Sequence, residues 1–162
     1  MVNKAISDSG PIIHLNEISL LNAFSVFQTT LIPGAVSDEI KKQGITDKKI
    51  QVINLGAELK EMTKIFSTKY ELDLGEAEAI VLALNEKADY FLTDDLDARI
   101  IAAEHQLEVH GTIGIILRAF RDKAIKKEEA ISKLILLHEK SSLFITQNLI
   151  NLAINSINNY KN

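Results

Sequence analysis

The sequence predicts an α/β fold: a three-layer α/β/α sandwich around a mainly parallel, five-stranded sheet, with extra helices at the C-terminal end. Three observations predict it. Short β-branched and aromatic runs alternate with stretches of helical apolar spacing, the order that builds parallel sheets joined by crossover helices. Polar turns carrying Asp, Gly or Pro separate several of these runs from the helix that follows. The length of 162 residues lets a chain bury about 70% of its unfolded surface. One domain over residues 1–162 is therefore expected, with 1–120 as the α/β core and 121–162 as a helical extension.

Residues 2–7 read as a strand running into Ser7-Asp8-Ser9-Gly10-Pro11, and helical spacing follows at Ile12, Leu15, Ile18 and Leu21. A second unit repeats the first: Phe27 to Ile32 reads as a strand stopped by Pro33-Gly34, and Val36 and Ile40 suggest a helix. Beyond a lysine-rich region, Met62 to Phe66 suggests a short strand, and Asp73-Leu74-Gly75-Glu76 introduces a helix through Ala77, Ile80, Val81 and Leu84. Asp89 to Thr93 reads as a buried strand ending at Asp94-Asp95, before a helix with Ile100, Ile101 and Ala103. Leu107 to His110 is the last strand, closed by Gly111-Thr112. From Ile113 onward the spacing is helical, with Leu134, Ile135, Leu137 and His138 on one segment and Leu149, Ile150, Ala153, Ile154 and Ile157 on another. These last helices are expected to pack on the sheet's helical layer or on a partner.

Composition narrows the function classes. Hydrophobic residues are 46% of the chain and charged residues 25%, ordinary for a globular protein. No apolar run approaches the ~20 residues of a membrane span, and Asp8 interrupts the apolar start, unlike an export signal. A cytoplasmic protein with no membrane partner is the expectation. The absence of cysteine excludes disulfides and thiolate zinc sites, leaving oxygen or imidazole ligands for any metal. A net charge of −4 argues against nucleic-acid binding through an overall basic field. Lys41, Lys42, Lys48 and Lys49 either flank an acidic pocket or form an ordinary solvated face.

The acids carry the strongest signal. Ligands of open parallel sheets bind beyond the carboxyl ends of the strands, where strand order reverses. Asp8 ends the first strand and Asp94-Asp95 the fourth, so neighbouring strands there would bring these carboxylates together. Glu39 and Glu76, in helices after other strands, could reach the same pocket. Clustered carboxylates repel, and a hard divalent cation relieves the repulsion. Such ions activate water and stabilise a leaving oxygen in phosphodiester hydrolysis. The structural alternatives are helix caps. Glu76 is favourable near a helix N-terminus by about 0.3–1 kcal/mol, Asp8 with Ser9 suits an Asx or N-cap turn, Asp94 or Asp97 suits the cap of the next helix, and two of Asp94, Asp95 and Asp97 could do no more than cap. Arg99 suits a substrate phosphate or a pairing acid, with the acid favoured. His14, His105, His110 and His138 lack metal-ligand spacing, and Gly10, Gly75, Gly111 and Gly114 form no phosphate loop of known spacing.

Ser7-Asp8-Ser9-Gly10-Pro11-Ile12-Ile13-His14-Leu15, Val36-Ser37-Asp38-Glu39, Gly75-Glu76-Ala77-Glu78-Ala79-Ile80 and Leu92-Thr93-Asp94-Asp95, in this order, resemble PIN-domain proteins, in particular the prokaryotic branch related to toxin ribonucleases of toxin-antitoxin operons. The resemblance spans about residues 4–120, and Gly111-Thr112-Ile113-Gly114 extends it. It implies a parallel five-stranded sheet, a Mg2+ or Mn2+ site and ribonuclease activity. By position it implies Asp8, Glu39, Glu76 and Asp95 as catalytic metal ligands, Asp94 and Asp97 as extra ligands, and Thr93 or Ser9 as hydrogen-bonding supports. RNA as substrate, a small antitoxin as partner and a homodimer follow from the same resemblance. Glu76 stands where the toxin branch often has Asp, one methylene shorter. A non-catalytic PIN-like module binding RNA or protein is the alternative, and it predicts association without cleavage.

Overall fold

The computed structural model describes residues 3–161. Its strands are β1 (Lys4–Ser7), β2 (Thr29–Pro33), β3 (Ile50–Ile53), β4 (Tyr90–Leu92) and β5 (Val109–His110). Its helices are α1 (Ser9–Glu17), α2 (Gly34–Lys42), α3 (Ala57–Tyr70), α4 (Leu74–Asn85), α5 (Leu96–Glu104), α6 (Thr112–Arg121), α7 (Lys127–Lys140) and α8 (Gln147–Asn158). All strand pairs are parallel, in the order β3-β2-β1-β4-β5. Helices sandwich the sheet, and the central strands show it: Ala5, Ile6, Ser7, Phe91 and Leu92 are buried at consecutive positions, as a sheet covered on both faces requires.

The order reverses between β1 and β4. The chain steps outward from β1 to β3, then crosses back to lay β4 against the other side of β1, with Ile6 opposite Phe91 and Ser7 opposite Leu92. The Asp8 amide donates to the Leu92 carbonyl at 2.8 Å. The ends of the first and fourth strands are therefore neighbours at the switch point, as their acids required.

Several boundaries differ from the expectations. The proposed start of the first strand at residue 2 lies outside the described residues. The first helix stops at Glu17, because Ser19 turns left-handed (φ 55°), and Leu21–Val26 forms a separate 3-10 helix. Met62 to Phe66 is not a strand but the middle of α3. Leu59, Thr63, Phe66 and Tyr70 recur at helical intervals, and the Phe66 and Tyr70 rings meet His105, just after α5, at 5.1 and 6.0 Å. The third strand lies earlier, at Ile50–Ile53. It is an edge strand that pairs on one side only, with Gln51 and Val52 exposed, so its apolar signal is thin.

The C-terminal helices pack onto the domain's helical layer. α7 contacts α1, α6 and α8, burying Ala130, Leu134 and Leu137, and α8 buries Ile150, Ala153 and Ile157. One hydrophobic cluster runs from Ala5 through to Ile157. Lys133 Nζ donates to the Ile18 carbonyl at 2.6 Å, and Ser142 donates through N and Oγ to the Glu17 carboxylate. Lys48 and Lys49 precede β3 at the amino edge of the sheet, opposite the acids, and so do not flank them. Lys41 and Lys42 are exposed in the last turn of α2.

Candidate active site

Three helices begin at the carboxyl edge of the sheet with an aspartate cap. Asp8 caps α1, with Oδ1 accepting from the Ser9 amide at 2.8 Å. Asp73 caps α4, accepting from the Glu76 amide at 2.8 Å while Glu76 Oε2 accepts from the Asp73 amide at 3.0 Å. Asp95 caps α5, accepting from the Ala98 amide at 2.8 Å. The capping readings hold for Asp8 and Glu76, while α5 is capped by Asp95 rather than by Asp94 or Asp97; capping leaves open a second use. Each cap spends one oxygen on an amide, and Asp8 gives its second to the Thr93 hydroxyl, but a carboxylate has about four acceptor sites.

The same carboxylates feel one another. Asp8 is only 6% exposed, and burial pushes its pKa from the ordinary 3.8 up to about 6. The Ser9 and Thr93 hydrogen bonds hold it down against the raising charges of Asp73 and Glu39. Burial also lifts Glu76 from 4.5 to about 7, opposed by the Asp73 amide and reinforced by the charges of Asp73, Asp95 and Asp8. Asp8, Glu39, Glu76 and Asp95 are therefore brought to one edge, together with Asp73, which the sequence reading took only as the start of a helix. The spacing Asp-x-x-Glu of a capping box was the signal for Asp73.

Glu39 reaches this edge because residue 75 is glycine. A Cβ on Gly75 would sit 2.7 Å from Glu39 Oε1, closer than van der Waals contact allows. We expect Gly75→Ala to push the Glu39 carboxylate aside and weaken divalent-metal affinity by about 10-fold, with thermal stability nearly unchanged, since the clashing atom ends a flexible side chain. Calorimetric metal titration beside a melting curve checks it; unchanged affinity would remove Glu39 from the site.

Thr93, fully buried, ties the two central strand ends together. Its Oγ1 donates to Asp8 Oδ2 and accepts from the Asp95 amide, both at 3.2 Å. Thr93→Val keeps the shape and removes both bonds. The expected cost is about 1–2 kcal/mol of stability and roughly 10- to 100-fold in metal affinity, read by denaturant unfolding and metal titration. Ser9 supports Asp8 through its amide.

Asp94 is not among the charges that act on Asp8 and Glu76. Its Oδ1 accepts from the Thr112 amide at 2.7 Å, and its Oδ2 accepts from Thr112 Oγ1 at 2.5 Å and contacts His14 Nδ1 at 2.7 Å. These bonds occupy both oxygens and anchor the loop after β4 to α1 and α6. Asp97 is exposed in the first turn of α5 and is not among the charges felt by Asp8 or Glu76. Arg99 makes no ion pair among the described residues, contrary to the acid pairing favoured above. Its Nη1 donates to the Thr93 carbonyl at 3.4 Å. His105, His110 and His138 are engaged by Tyr70, Glu108 and the Ile145 carbonyl.

The donor set suits a hard cation. It is all carboxylate oxygen, with pKa values raised at Asp8 and Glu76 that a bound positive charge would lower, and a glycine that clears room for one ligand. Among the described residues no group of three or more of these side chains is placed to hold one metal ion. Capping hydrogen bonds and mutual repulsion hold them toward their own helices. Mg2+ tolerates such an open site, since it keeps several waters and takes only one or two carboxylates.

Fold and edge together define a class: a parallel α/β/α domain with carboxylates gathered at its topological switch point. A PIN-domain family model matches residues 4–159, and the chain belongs to the PIN-domain family. The match runs through the C-terminal helices, further than the motifs reached. Among solved structures, a chain of a toxin-antitoxin complex from Klebsiella pneumoniae is similar at 15% identity, with a TM-score of 0.46, over 56% of this chain and 86% of that one. No curated protein matches. No helix among the described residues is long and apolar enough to cross a membrane.

Proposed function

We propose that this protein is a divalent-metal-dependent ribonuclease that hydrolyses phosphodiester bonds, with residues 1–162 acting as one unit in which 121–162 extend the 1–120 core. The observation that carries the reading is the convergence of Asp8, Glu39, Glu76 and Asp95 on one edge, with Asp8 buried and its pKa raised. Asp8 would be the central ligand for Mg2+ or Mn2+, with Glu39, Glu76 and Asp95 around it and Asp73 beside them. A bound ion of this kind supplies Lewis acidity toward a phosphoryl oxygen and a lowered pKa for attacking water. The chain's own part is to hold these oxygens in place. Thr93 and the Ser9 amide orient Asp8, Asp73 turns Glu76, and Arg99 offers positive charge to a phosphate near the Thr93 carbonyl.

Glu76's engagement in its capping box favours a second reading, a non-catalytic module that binds RNA or protein. Incubating the purified protein with labelled RNA and Mg2+ or Mn2+ separates them: cleavage that stops with chelator supports the first, and binding without cleavage in either metal supports the second. The resemblance to the toxin branch supports a toxin role in the cytoplasm, with a small antitoxin partner and a homodimer. A strictly monomeric species in light scattering at high concentration would count against the dimer.

A further inference from the structure

Beside the carboxylates, on the far side of the α5 N-terminus, lies a pocket of about 490 Å3 of which the proposed chemistry uses only Arg99. Asp94, Leu96, Arg99, Ile113, Phe144 and Leu149 are among the residues that line it. It abuts the acidic edge directly, because Asp95 turns toward the carboxylates and the next residue, Leu96, into the pocket. Phe144, on the α7–α8 connection, is 95% exposed, and it is the most exposed large hydrophobic side chain among the described residues. Leu96 is 74% exposed beside it.

We propose that this pocket is a nucleobase site, which holds by stacking on Phe144 a base flanking the phosphate bound at the carboxylates; the proposal rests on the ribonuclease reading. Three observations select this occupant. First, a chain of net charge −4 has no basic field to draw in a phosphate backbone, so its grip on a strand must come from elsewhere. Base stacking on an exposed aromatic supplies such a grip without sequence preference or net charge. Second, the pocket's cation is complementary to a nucleotide. Arg99 makes no ion pair among the described residues, since the neighbouring Asp94 is engaged by Thr112 and His14; it lines the pocket and hydrogen-bonds the carbonyl of Thr93, whose hydroxyl holds Asp8. One guanidinium thus faces both the base pocket and the phosphate position, where it can pair with the phosphate or cover the base face. Third, Arg99's seat is built. A Cβ on Gly111 would meet Arg99 Nη1 and Asp94 Oδ1 at 2.8 Å each, so only glycine there lets the guanidinium lie where it does.

The chain has no tryptophan, so Phe144→Trp places a single, selectively excited tryptophan at the mouth of the pocket. Expected is quenching on adding a short single-stranded RNA, with none on adding metal alone and much less with a strand abasic at its central positions. Phe144→Ala, a surface change, should weaken the RNA's apparent affinity or raise KM roughly 5- to 150-fold while kcat and the melting temperature hold. The wild type's preference for the base-bearing strand over the abasic strand should vanish in the variant. If the wild type cuts RNA but Phe144→Ala binds and cuts it unchanged, the base site is wrong and the nuclease stands. Quenching by RNA in a protein that never cuts leaves the base site and removes the nuclease. No RNA binding at all overturns the base site. So does a Phe144→Ala variant that changes oligomeric state in light scattering while binding RNA normally, which would make this face a protein interface.

Discussion

Asp8→Asn is expected to lower metal-dependent RNA cleavage by more than about 100-fold while leaving a folded protein. Outer partners of a metal ligand already carry roughly 10- to 100-fold in affinity or activity, and a direct ligand at the centre of the group should exceed that. The substitution is conservative in shape. Asparagine keeps one oxygen to accept from the Ser9 amide, and its amide can donate to Thr93 Oγ1, which now donates to Asp8 Oδ2. What disappears is the charge. The matched control is Asp97→Asn, one turn into α5, exposed and away from the carboxylate group, which should cut RNA within about twofold of wild type, as surface changes usually do. Cleavage assays with labelled RNA in Mg2+ and Mn2+, beside a metal titration, read both. Wild-type cleavage by Asp8→Asn would remove the central ligand and the mechanism with it.

The reach and the limits of sequence reasoning both have physical causes. β1, β4 and their acids were legible because buried parallel strands leave dense apolar runs, and the polar residues closing them stand out. The switch-point rule then joined Asp8 to Asp95 across more than eighty residues without coordinates. β3 was not legible, since an edge strand buries little and Ile50–Ile53 sits in a lysine-rich stretch. α3 was misread because a five-residue window at Met62 to Phe66 cannot distinguish a β-branched run from one side of an amphipathic helix. Among the acids, which oxygen goes where depends on partners distant in sequence. Asp94 and Asp95 are chemically alike and adjacent, yet Thr112 and His14 hold Asp94 against α6 and α1 while the Ala98 amide and Thr93 hold Asp95 at the edge. Asp73 was visible as the first residue of a capping box, and only the fold reveals that its charge bears on Asp8.

The same buried carboxylates predict how stability changes with pH. Asp8 has a native pKa of about 6 against an ordinary 3.8, and Glu76 one of about 7 against 4.5. Through the window from about 4 to 7 the native protein therefore holds protons that the unfolded chain has released, and stability must fall as pH rises. For Asp8 alone the difference between pH 5 and 7.5 is about 1–2 kcal/mol, or roughly 2–8 °C in melting temperature for a chain of this size. Metal-free protein should accordingly melt higher at pH 5 than at pH 7.5. Saturating Mg2+ or Mn2+ should restore the loss at pH 7.5, because a ligand that binds only the native state stabilises it by mass action, and should do less at pH 5, where protons occupy the same oxygens. Asp8→Asn removes the ionising group, so it should raise the metal-free melting temperature at pH 7.5, flatten the pH profile and abolish most of the response to metal. Calorimetric melts of both proteins across this range, with and without metal, test the coupling. A wild-type profile that rises toward neutral pH, or a metal response that survives in Asp8→Asn, would show that burial does not strain Asp8 and that the ion is held elsewhere.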